Sequence, residues 1–372
     1  MKVLILTCNT GQGHNSSAMA IRQEFLYKNT DCEIVDALSF FSKTISKIVE
    51  KSFTSIYRHV PKGFDKGYQQ VNGKNGNRWG KLTNIILKPA SRKLKKFIDS
   101  NEYTYIICTH IFPAIMITDI AKKYGMSVPT ALLTTDYTVY PLMEQVKSDF
   151  YLIPHEKLVD SFEEFGIPKE QLFPSGIPVR STFTHFDVTR EEARDKLNLP
   201  KDAKVVLIMG GSMGCGPLYN LVCSVAQTAD DSTYLLVSCG SNESLYQKIN
   251  KIASDRVRHF RYSDDIPTMM KAADLFVTKP GGISITESAI MCLPMLLINF
   301  IGGCETPNYN FFVSNEFAFG ADRIEDAQDV VKDLLSHPEK LRKISENLKE
   351  SFTKNSALEI VGLVMSRENA TT

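Results

Sequence analysis

Several common signatures are absent from this sequence, and each absence excludes a class of protein. The eight cysteines form no Cys-x-x-Cys pair, which argues against both a cysteine-rich zinc site and a disulfide framework. No apolar run approaches the roughly 18 residues of a membrane-spanning helix. The amino terminus reaches a glycine loop too early to form a signal peptide. The net charge of +1 gives no overall preference for nucleic acid, so we expect a cytoplasmic protein without structural zinc.

Short apolar runs alternate along the chain with longer amphipathic segments. Runs without internal polar residues, separated by helical segments, are typical of parallel sheets covered on both faces. Two such series predict two doubly wound α/β domains, residues 1–180 and 181–345, followed by a helix at 346–372 that returns to the first domain. The boundary follows Pro174–Arg180, where Pro and Gly interrupt regular structure. The runs expected to be strands are Val3–Thr7, Glu33–Asp36, Tyr105–Thr109, Thr130–Thr134, Phe150–Ile153, Val205–Met209, Tyr234–Ser238, Val257–Phe260, Leu275–Thr278 and Met295–Asn299.

A basic insertion at residues 39–98 interrupts this pattern. Between Lys43 and Lys96 it has 14 Lys and Arg residues but only two acidic residues, a local net charge of +12. Aromatic residues are interleaved with the charge, and apolar residues recur at helical spacing, as in surfaces that bind anionic lipid headgroups. A solvated basic face and a nucleic-acid patch are the alternatives. The residues expected to contact the membrane are Phe53, Tyr57, Trp79, Arg92, Lys93, Lys95 and Lys96.

The segment Thr278–Ala289 is the most informative part of the sequence. It follows an apolar run that predicts a buried strand, and it leads into a helix predicted to start at Ile285. Gly281 and Gly282 allow the backbone to turn sharply and to approach a ligand closely. The first-turn amides form an anion site, while Glu287 can accept hydrogen bonds from two vicinal hydroxyls. A ligand with its diphosphate at the first-turn amides and its ribose at Glu287 would be a nucleotide-sugar. The alternative is an ordinary strand-to-helix turn without a ligand.

A second glycine loop, Thr7–Ala18, joins the first strand to the first helix. It has Ser16 where a dinucleotide-binding motif has its third glycine, and it lacks the Gly-Lys pair of a Walker loop. Its glycines instead present His14 at the carboxyl edge of the sheet, where open α/β sheets bind ligands. The positive end of the helix disfavours protonation, and a general base requires a neutral imidazole. We therefore predict a catalytic or substrate-orienting role for His14, with a structural histidine as the alternative.

Three further loops follow predicted strands. Gly210–Ser212 offers backbone amides and a hydroxyl to a phosphate or a sugar. A loop with Glu305 and Asn308 can hold sugar hydroxyls, unless it is only a polar helix cap. Asp136 ends another strand, where a carboxylate can activate a hydroxyl or orient His14, unless it too is a structural cap.

Taken together, these motifs resemble those of the processive diacylglycerol β-glycosyltransferases and plant monogalactosyldiacylglycerol synthases of glycosyltransferase family 28. More distantly, they are similar to the bacterial N-acetylglucosaminyltransferase that makes lipid II. The resemblance runs from Val3 to about Phe312, and it implies a GT-B fold, in which two Rossmann-like domains face a central cleft. It also implies an inverting transferase that uses a UDP-sugar without a cofactor or a metal. Its strongest parts are Gly11-Gln12-Gly13-His14, Thr135-Asp136, Ser175–Arg180, Gly210-Gly211-Ser212 and Thr278–Glu287.

The resemblance also implies roles for individual residues. The UDP-sugar would bind in the second domain, with Glu287 on the ribose and Tyr262 near the uracil, and the lipid would enter through the first domain. Cys304 stands where the lipid transferases usually have glutamine, so the resemblance leaves the hexose open between glucose, galactose and another hexose. The donor-binding residues expected on this basis are Gly13, Gly210, Gly211, Ser212, Tyr262, Gly281, Gly282, Ser284, Glu287, Glu305 and Asn308.

The expected reaction moves a hexose from UDP to diacylglycerol or glycosyl-diacylglycerol at the inner face of the cell membrane. Inversion requires one base, for which His14 is the first choice and Asp136 the alternative or helper. Helix amides can stabilise the leaving diphosphate without a metal. A diacylated acceptor stays in the bilayer because exposing each CH₂ costs about 0.8 kcal/mol, so the enzyme must bind the membrane. The alternatives are a UDP-sugar 2-epimerase, a lipid II-type N-acetylglucosaminyltransferase and a non-catalytic nucleotide-sugar sensor.

Overall fold

The computed structural model describes residues 1–9, 12–41, 76–263, 265–298 and 305–369 of the chain. They form two compact units: Met1–Arg180 together with Asn355–Thr372, and Ser181–Lys354. The second unit extends beyond residue 345, where the sequence predicts its end, because the helix Pro338–Ser351 continues past that point and buries Ile344 and Leu348.

A parallel sheet of six strands forms the centre of the first unit. The strands are β1 (Lys2–Thr7), β2 (Asp31–Asp36), β3 (Tyr105–Cys108), β4 (Thr130–Leu133), β5 (Phe150–Leu152) and β6 (Leu172–Phe173). They lie in the order β2-β1-β3-β4-β5-β6. Ile5 of β1 pairs with Ile34 on one side and with Ile107 on the other. The first five strands were predicted from their apolar runs, whereas β6 has only two residues and shows no such run.

Helices pack against this sheet. They are α1 (Gln12–Tyr27), α2 (Gly76–Asp99), α3 (Ile111–Tyr124), α4 (Val159–Glu164) and a C-terminal helix (Ser356–Asn369); shorter 3₁₀ turns lie at Ala37–Phe40, Met143–Gln145, Glu156–Leu158 and Lys169–Gln171. On one face of the sheet, Phe25 of α1 and Val361 of the C-terminal helix share a hydrophobic core with Val3 and Ile5. The C-terminal helix is therefore part of the first unit's core.

A second parallel sheet of six strands forms the centre of the second unit. Its strands are β7 (Lys204–Met209), β8 (Thr233–Ser238), β9 (Val257–Phe260), β10 (Leu275–Thr278), β11 (Met295–Ile298) and β12 (Phe319–Ala321). They lie in the order β9-β8-β7-β10-β11-β12. The short edge strand β12 was not predicted. The remaining five follow the apolar runs of the sequence, and β11 is described as far as Ile298.

The second unit also contains helices. They are α5 (Ser181–Thr184), α6 (Arg190–Lys196), α7 (Leu218–Thr228), α8 (Glu243–Asn250), α9 (Ile266–Ala272), α10 (Gly282–Ile290), α11 (Glu305–Ser314), α12 (Ile324–Ser336) and α13 (Pro338–Ser351). In α7, Leu218, Leu221, Val222 and Val225 occupy positions i, i+3, i+4 and i+7 and form one buried face. That face joins the core formed with β7, which confirms a doubly wound sheet.

Both sheets reverse their strand order at one point. In the first unit, the reversal lies between β1 and β3, and in the second unit it lies between β7 and β10. Open α/β sheets bind ligands outside the carboxyl ends of the strands at such a reversal. The loops that follow these four strands include His14, Thr109, Gly210–Ser212 and Lys279. The topology therefore places the chemistry-bearing loops of each unit at its own ligand-binding edge.

Candidate active site

His14 lies in the first turn of α1, where three strand ends of the first unit converge. Its Nδ1 is 2.7 Å from the carbonyl oxygen of Thr109, which follows β3, and 3.0 Å from Oγ1 of Thr135, beyond the end of β4. A carbonyl oxygen only accepts hydrogen bonds, so Nδ1 is the protonated ring nitrogen. Nε2 therefore has a lone pair, as a general base requires.

The pKa of His14 supports the same role. Burial lowers it from 6.5 to about 4, and the hydrogen bond to Thr109 opposes this change only in part. The sequence predicted the direction but attributed it to the helix dipole, whereas desolvation is the main cause. His14 is thus neutral throughout the physiological pH range.

His110 is a second neutral imidazole beside the first. The two ring centroids are 4.6 Å apart in an edge-to-face arrangement. Nδ1 of His110 accepts a hydrogen bond from the amide of Phe112 at 3.1 Å and caps α3. Burial, and then the proximity of His14, lower the pKa of His110 well below its usual value. His14 therefore helps burial to keep the His110 ring uncharged.

Asp136 is connected to His14 through other side chains. Oδ2 of Asp136 accepts a hydrogen bond from the Tyr140 hydroxyl at 3.3 Å. That hydroxyl is 3.0 Å from Oγ1 of Thr135, which contacts the His14 ring. This chain of contacts suits a helper better than the direct proton acceptor. Thr109 and Tyr140 were missed by the sequence analysis, although Thr109 ends one predicted strand and Tyr140 lies six residues beyond another.

Polar side chains also hold the loop that leads to His14. Thr7 at the end of β1 donates a hydrogen bond to Oδ1 of Asn15 at 2.8 Å, and Nδ2 of Asn15 donates to Oδ1 of Asn9 at 3.1 Å. The amide of Asn9 in turn donates to Asp36 at 3.3 Å. Gly13, which the sequence assigned to donor binding, lies in the first turn of α1 in this same unit.

In the second unit, the loop after β7 is a tight glycine turn. The amide of Cys215 donates to the carbonyl of Gly210 at 3.0 Å, and a Cβ at Gly210 would lie 2.1 Å from the oxygen of Cys215. Gly211 has a φ of +71°, in the left-handed region that favours glycine. Ser212, half-buried, follows directly. Only glycines permit this close approach of the backbone to itself.

Residues 210–214 match the Gly-x-Ser-x-Gly pattern of a serine-hydrolase nucleophile elbow, although we expect no such elbow from the sequence. Such an elbow places its serine on a sharp turn directly between a strand and a helix. Here α7 starts at Leu218, six residues beyond Ser212. The loop geometry therefore differs from an elbow and fits an anion-binding turn better.

The loop after β10 leads into α10 earlier than predicted. The helix begins at Gly282 rather than at Ile285, and Gly281 is its N-cap. A glycine cap has no side chain to accept hydrogen bonds from the first-turn amides, so these amides can face an anion. Ser284 lies half-buried in this first turn, and Glu287 lies one turn further along the helix, only 6% exposed.

Glu305 and Asn308 lie on α11, whereas the sequence placed them on a loop. Nδ2 of Asn308 donates to the carbonyl of Pro280 at 2.9 Å, so this side chain fixes the loop after β10. Glu305 forms a buried ion pair with Lys279. The sequence analysis gave no role to Lys279, and only its place directly after β10 could have drawn attention to it.

Tyr262 lies apart from these buried groups. It follows β9 and is 56% exposed. Its neighbour Arg261 lies over the ring of Tyr246, 3.6 Å from the ring centroid, and pairs with Glu243. The exposed ring of Tyr262 is available for stacking on a base. Its assignment to the uracil stays a prediction.

Four basic residues near the end of the insertion lie on one face of α2. Leu87, Ala90, Leu94 and Ile98 are buried, whereas the opposite side presents a basic helix face of Arg92, Lys93, Lys95 and Lys96. Arg92, Lys93 and Lys96 are exposed, and Lys95 pairs with Asp99. Phe53 and Tyr57 lie outside the described residues, as does the side chain of Trp79.

The described residues contain neither a membrane-spanning helix nor a cluster of metal ligands. No helix in that part of the chain is both long and apolar enough to span a bilayer. Among the same residues, no group of three or more His, Cys, Asp and Glu side chains is arranged to hold a metal ion.

The two parallel sheets, each with a glycine loop at its strand reversal, define the GT-B class of fold. MurG of Acinetobacter baumannii has this fold, with a TM-score of 0.68 at 12% identity over 98% of this chain and 100% of that one. The UDP-GlcNAc 2-epimerase of Neisseria meningitidis, solved with UDP-GlcNAc, gives a TM-score of 0.64 at 13% identity over 98% and 100% of the two chains. At such identities the likeness shows the fold alone.

Sequence families then identify the chain. Residues 14–179 match the monogalactosyldiacylglycerol (MGDG) synthase family, and residues 205–360 match the glycosyltransferase family 28 C-terminal domain. The processive diacylglycerol beta-glucosyltransferase of Bacillus pumilus is 28% identical over 100% of this chain and 96% of its own length. The chain belongs to the diacylglycerol glycosyltransferase and MGDG synthase family, and it is a glycosyltransferase.

Proposed function

We propose that this protein transfers glucose or galactose from UDP to diacylglycerol or glycosyl-diacylglycerol, giving a β-glycolipid. The observation that supports this most directly is the neutral His14, whose Nδ1 donates to a carbonyl oxygen and whose Nε2 is left as a base. The name of the Bacillus pumilus relative supports diacylglycerol as the acceptor.

In the proposed reaction, Nε2 of His14 accepts the proton of the acceptor hydroxyl as that oxygen forms a bond to C1 of the hexose. The bond between C1 and the β-phosphate oxygen breaks, and its electron pair stays on the diphosphate. Attack opposite the leaving group inverts the configuration at C1. Asp136 assists through Tyr140 and Thr135, whose contacts hold the imidazole in place.

The donor binds to the second unit in this proposal. The amides at the start of α10 and the loop Gly210–Ser212 bind the diphosphate, and Glu287 accepts hydrogen bonds from the ribose hydroxyls. Tyr262 lies near the uracil, and Glu305 and Asn308 lie at the hexose. The charge on the leaving group is balanced by these fixed dipoles, so no metal or other cofactor is required.

We place the enzyme on the inner surface of the cell membrane as a peripheral protein. The basic helix face offers exposed positive charge on a helix whose other side is buried. Each basic residue near an anionic surface contributes about 1 kcal/mol of attraction. Anionic lipid should therefore raise the rate at which the enzyme uses a membrane-embedded acceptor.

The test is incubation with UDP-glucose or UDP-galactose and diacylglycerol vesicles, with and without a chelator, followed by mass and linkage analysis. His14→Asn keeps a donor towards the Thr109 carbonyl but removes Nε2, so turnover should fall about 10²-fold to 10⁴-fold. His185→Asn, a change at an exposed histidine of the second unit, is the matched control. Full activity of His14→Asn would remove this residue from the mechanism.

The main competitor is a UDP-sugar 2-epimerase, because structures with that activity share this fold. An epimerase would convert soluble UDP-N-acetylglucosamine without any lipid. The same incubations with that donor, without vesicles, separate the two functions. Transfer of N-acetylglucosamine to a lipid diphosphate would instead identify a lipid II-type enzyme, and UDP binding without turnover would indicate a sensor.

A further inference from the structure

Lys279 and Glu305 form an ion pair that is almost completely buried beside the donor loops. Nζ of Lys279 contacts Oε1 of Glu305, and the side chains are 10% and 2% exposed. Lys279 is the first residue after β10, and Glu305 is the first residue of α11. The two charges therefore lie at the strand reversal of the second unit, where the topology predicts a ligand.

The ammonium of Lys279 lies against both glycine loops. A Cβ at Gly211 would be 3.1 Å from Cε and 3.7 Å from Nζ of Lys279, and a Cβ at Gly281 would be 3.1 Å from the same Nζ. The loops are also tied to each other, because Oγ1 of Thr278 donates to the carbonyl of Met209 at 2.8 Å. One cation thus lies beside the two backbone segments that offer amides to an anion.

Stability alone gives little reason for this pair. Moving two charges out of water costs about as much as their mutual attraction returns, and apolar residues of similar volume often serve equally well. An ammonium held in a nearly dry site, in contrast, interacts strongly with any anion that binds next to it. The absence of side chains at Gly211 and Gly281 leaves an anion room to approach that ammonium.

We propose that Lys279 donates a hydrogen bond to the β-phosphate oxygen of the bound nucleotide-sugar, and that Glu305 holds the ammonium in place for it. This inference rests on the proposed function. As the bond between C1 and the β-phosphate oxygen breaks, its electron pair and the new negative charge pass to that oxygen. Lys279 then stabilises the developing charge, which gives it a role in turnover as well as in binding.

The experiment compares the affinity for UDP with that for uridine by calorimetry and measures kcat and KM for transfer. Lys279→Met alone would leave a buried carboxylate without its cation, so the decisive comparison is Glu305→Gln against the double variant K279M/E305Q. Lys279→Arg retains the charge, and Lys332→Met changes an exposed lysine as the matched control. Thermal unfolding verifies that each variant is folded.

We expect the double variant to bind UDP about tenfold to a hundredfold more weakly than Glu305→Gln does, with unchanged affinity for uridine. Its kcat should fall a further 10²-fold to 10³-fold or so, and Lys279→Arg should retain part of the preference for UDP. An equal preference for UDP over uridine in Glu305→Gln and in the double variant would overturn the role of Lys279.

Two further outcomes are informative. If the wild-type protein binds UDP no better than uridine, both the proposed function and this inference fail. If the double variant does not fold, Lys279→Arg decides: its preference for UDP over uridine and its kcat must both differ from the wild-type values, and unchanged values of both would refute the contact.

Discussion

The titration of His14 is the property from which the proposed chemistry follows most directly. In the folded protein its pKa is about 4, against an ordinary value of 6.5 in an unfolded chain. Between these values the unfolded chain binds more protons than the folded protein. The free energy of unfolding must therefore decrease as the pH falls from 6.5 towards 4, and it should be insensitive to His14 above that range.

The size of the effect follows from the same two values. The difference between a pKa of 6.5 and one of about 4 corresponds to an upper limit of about 3 kcal/mol. At pH 4.5 most of this destabilisation is present, about 2.5 kcal/mol if the ring is fully shielded from solvent. His14 is half-buried, so the measured value should be lower than this limit.

The assay is urea unfolding of the wild type and of His14→Asn at several pH values between 4.5 and 8. The wild type should lose stability relative to the variant as the pH falls, because the variant has no imidazole to protonate at this position. His110 titrates in both proteins and largely cancels in the comparison. The depressed pKa would be refuted if the free energy of unfolding changed with pH equally in the two proteins. It would also be refuted if kcat/KM fell on the acid side with a pKa near 6.5 that His14→Asn removes.

Three other predictions concern the second unit and the membrane surface. Glu287→Ala should weaken UDP binding about tenfold to a hundredfold in calorimetry but leave pyrophosphate binding unchanged; equal losses for both ligands would contradict the ribose contact. Gly211→Ala, at a φ of +71°, should cost about 1 to 2 kcal/mol in urea unfolding, whereas Gly362→Ala, in an open helical position, should be neutral or stabilising. Replacing all four residues of the basic helix face by glutamine should reduce the amount of protein that sediments with anionic vesicles. It should also make this binding less dependent on salt concentration, while binding to neutral vesicles stays the same.

The sequence was sufficient for the architecture because buried parallel strands are continuous apolar runs. β1 and β7, for example, are each bounded by a glycine loop and interrupted by no polar residue. β6 and β12 are edge strands of two and three residues, too short to show any period. The start of α10 at Gly282 was missed because glycine usually interrupts a helix, whereas here it occupies the first turn next to a glycine cap.

The sequence predicted the individual loops of the candidate site but not the contacts between them. His14 and Glu287 stand at fixed offsets from predicted strands, and this spacing is visible in the sequence. The contact of His14 with Thr109 joins positions 95 residues apart, and the pair of Lys279 with Glu305 joins positions 26 residues apart. Such contacts depend on strand order, which local patterns do not specify. For the same reason the sequence could not identify burial as the main cause of the low pKa of His14.

The C-terminal helix has a consequence for how the protein is made. Ile360, Val361 and Val364 are completely buried in a core shared with Val3 and Ile5. The apolar surface of β1 is therefore covered fully only by residues translated more than 350 positions later. During that interval this surface stays exposed, so a premature stop codon between residues 315 and 360 should produce an aggregating product even though every catalytic loop is present.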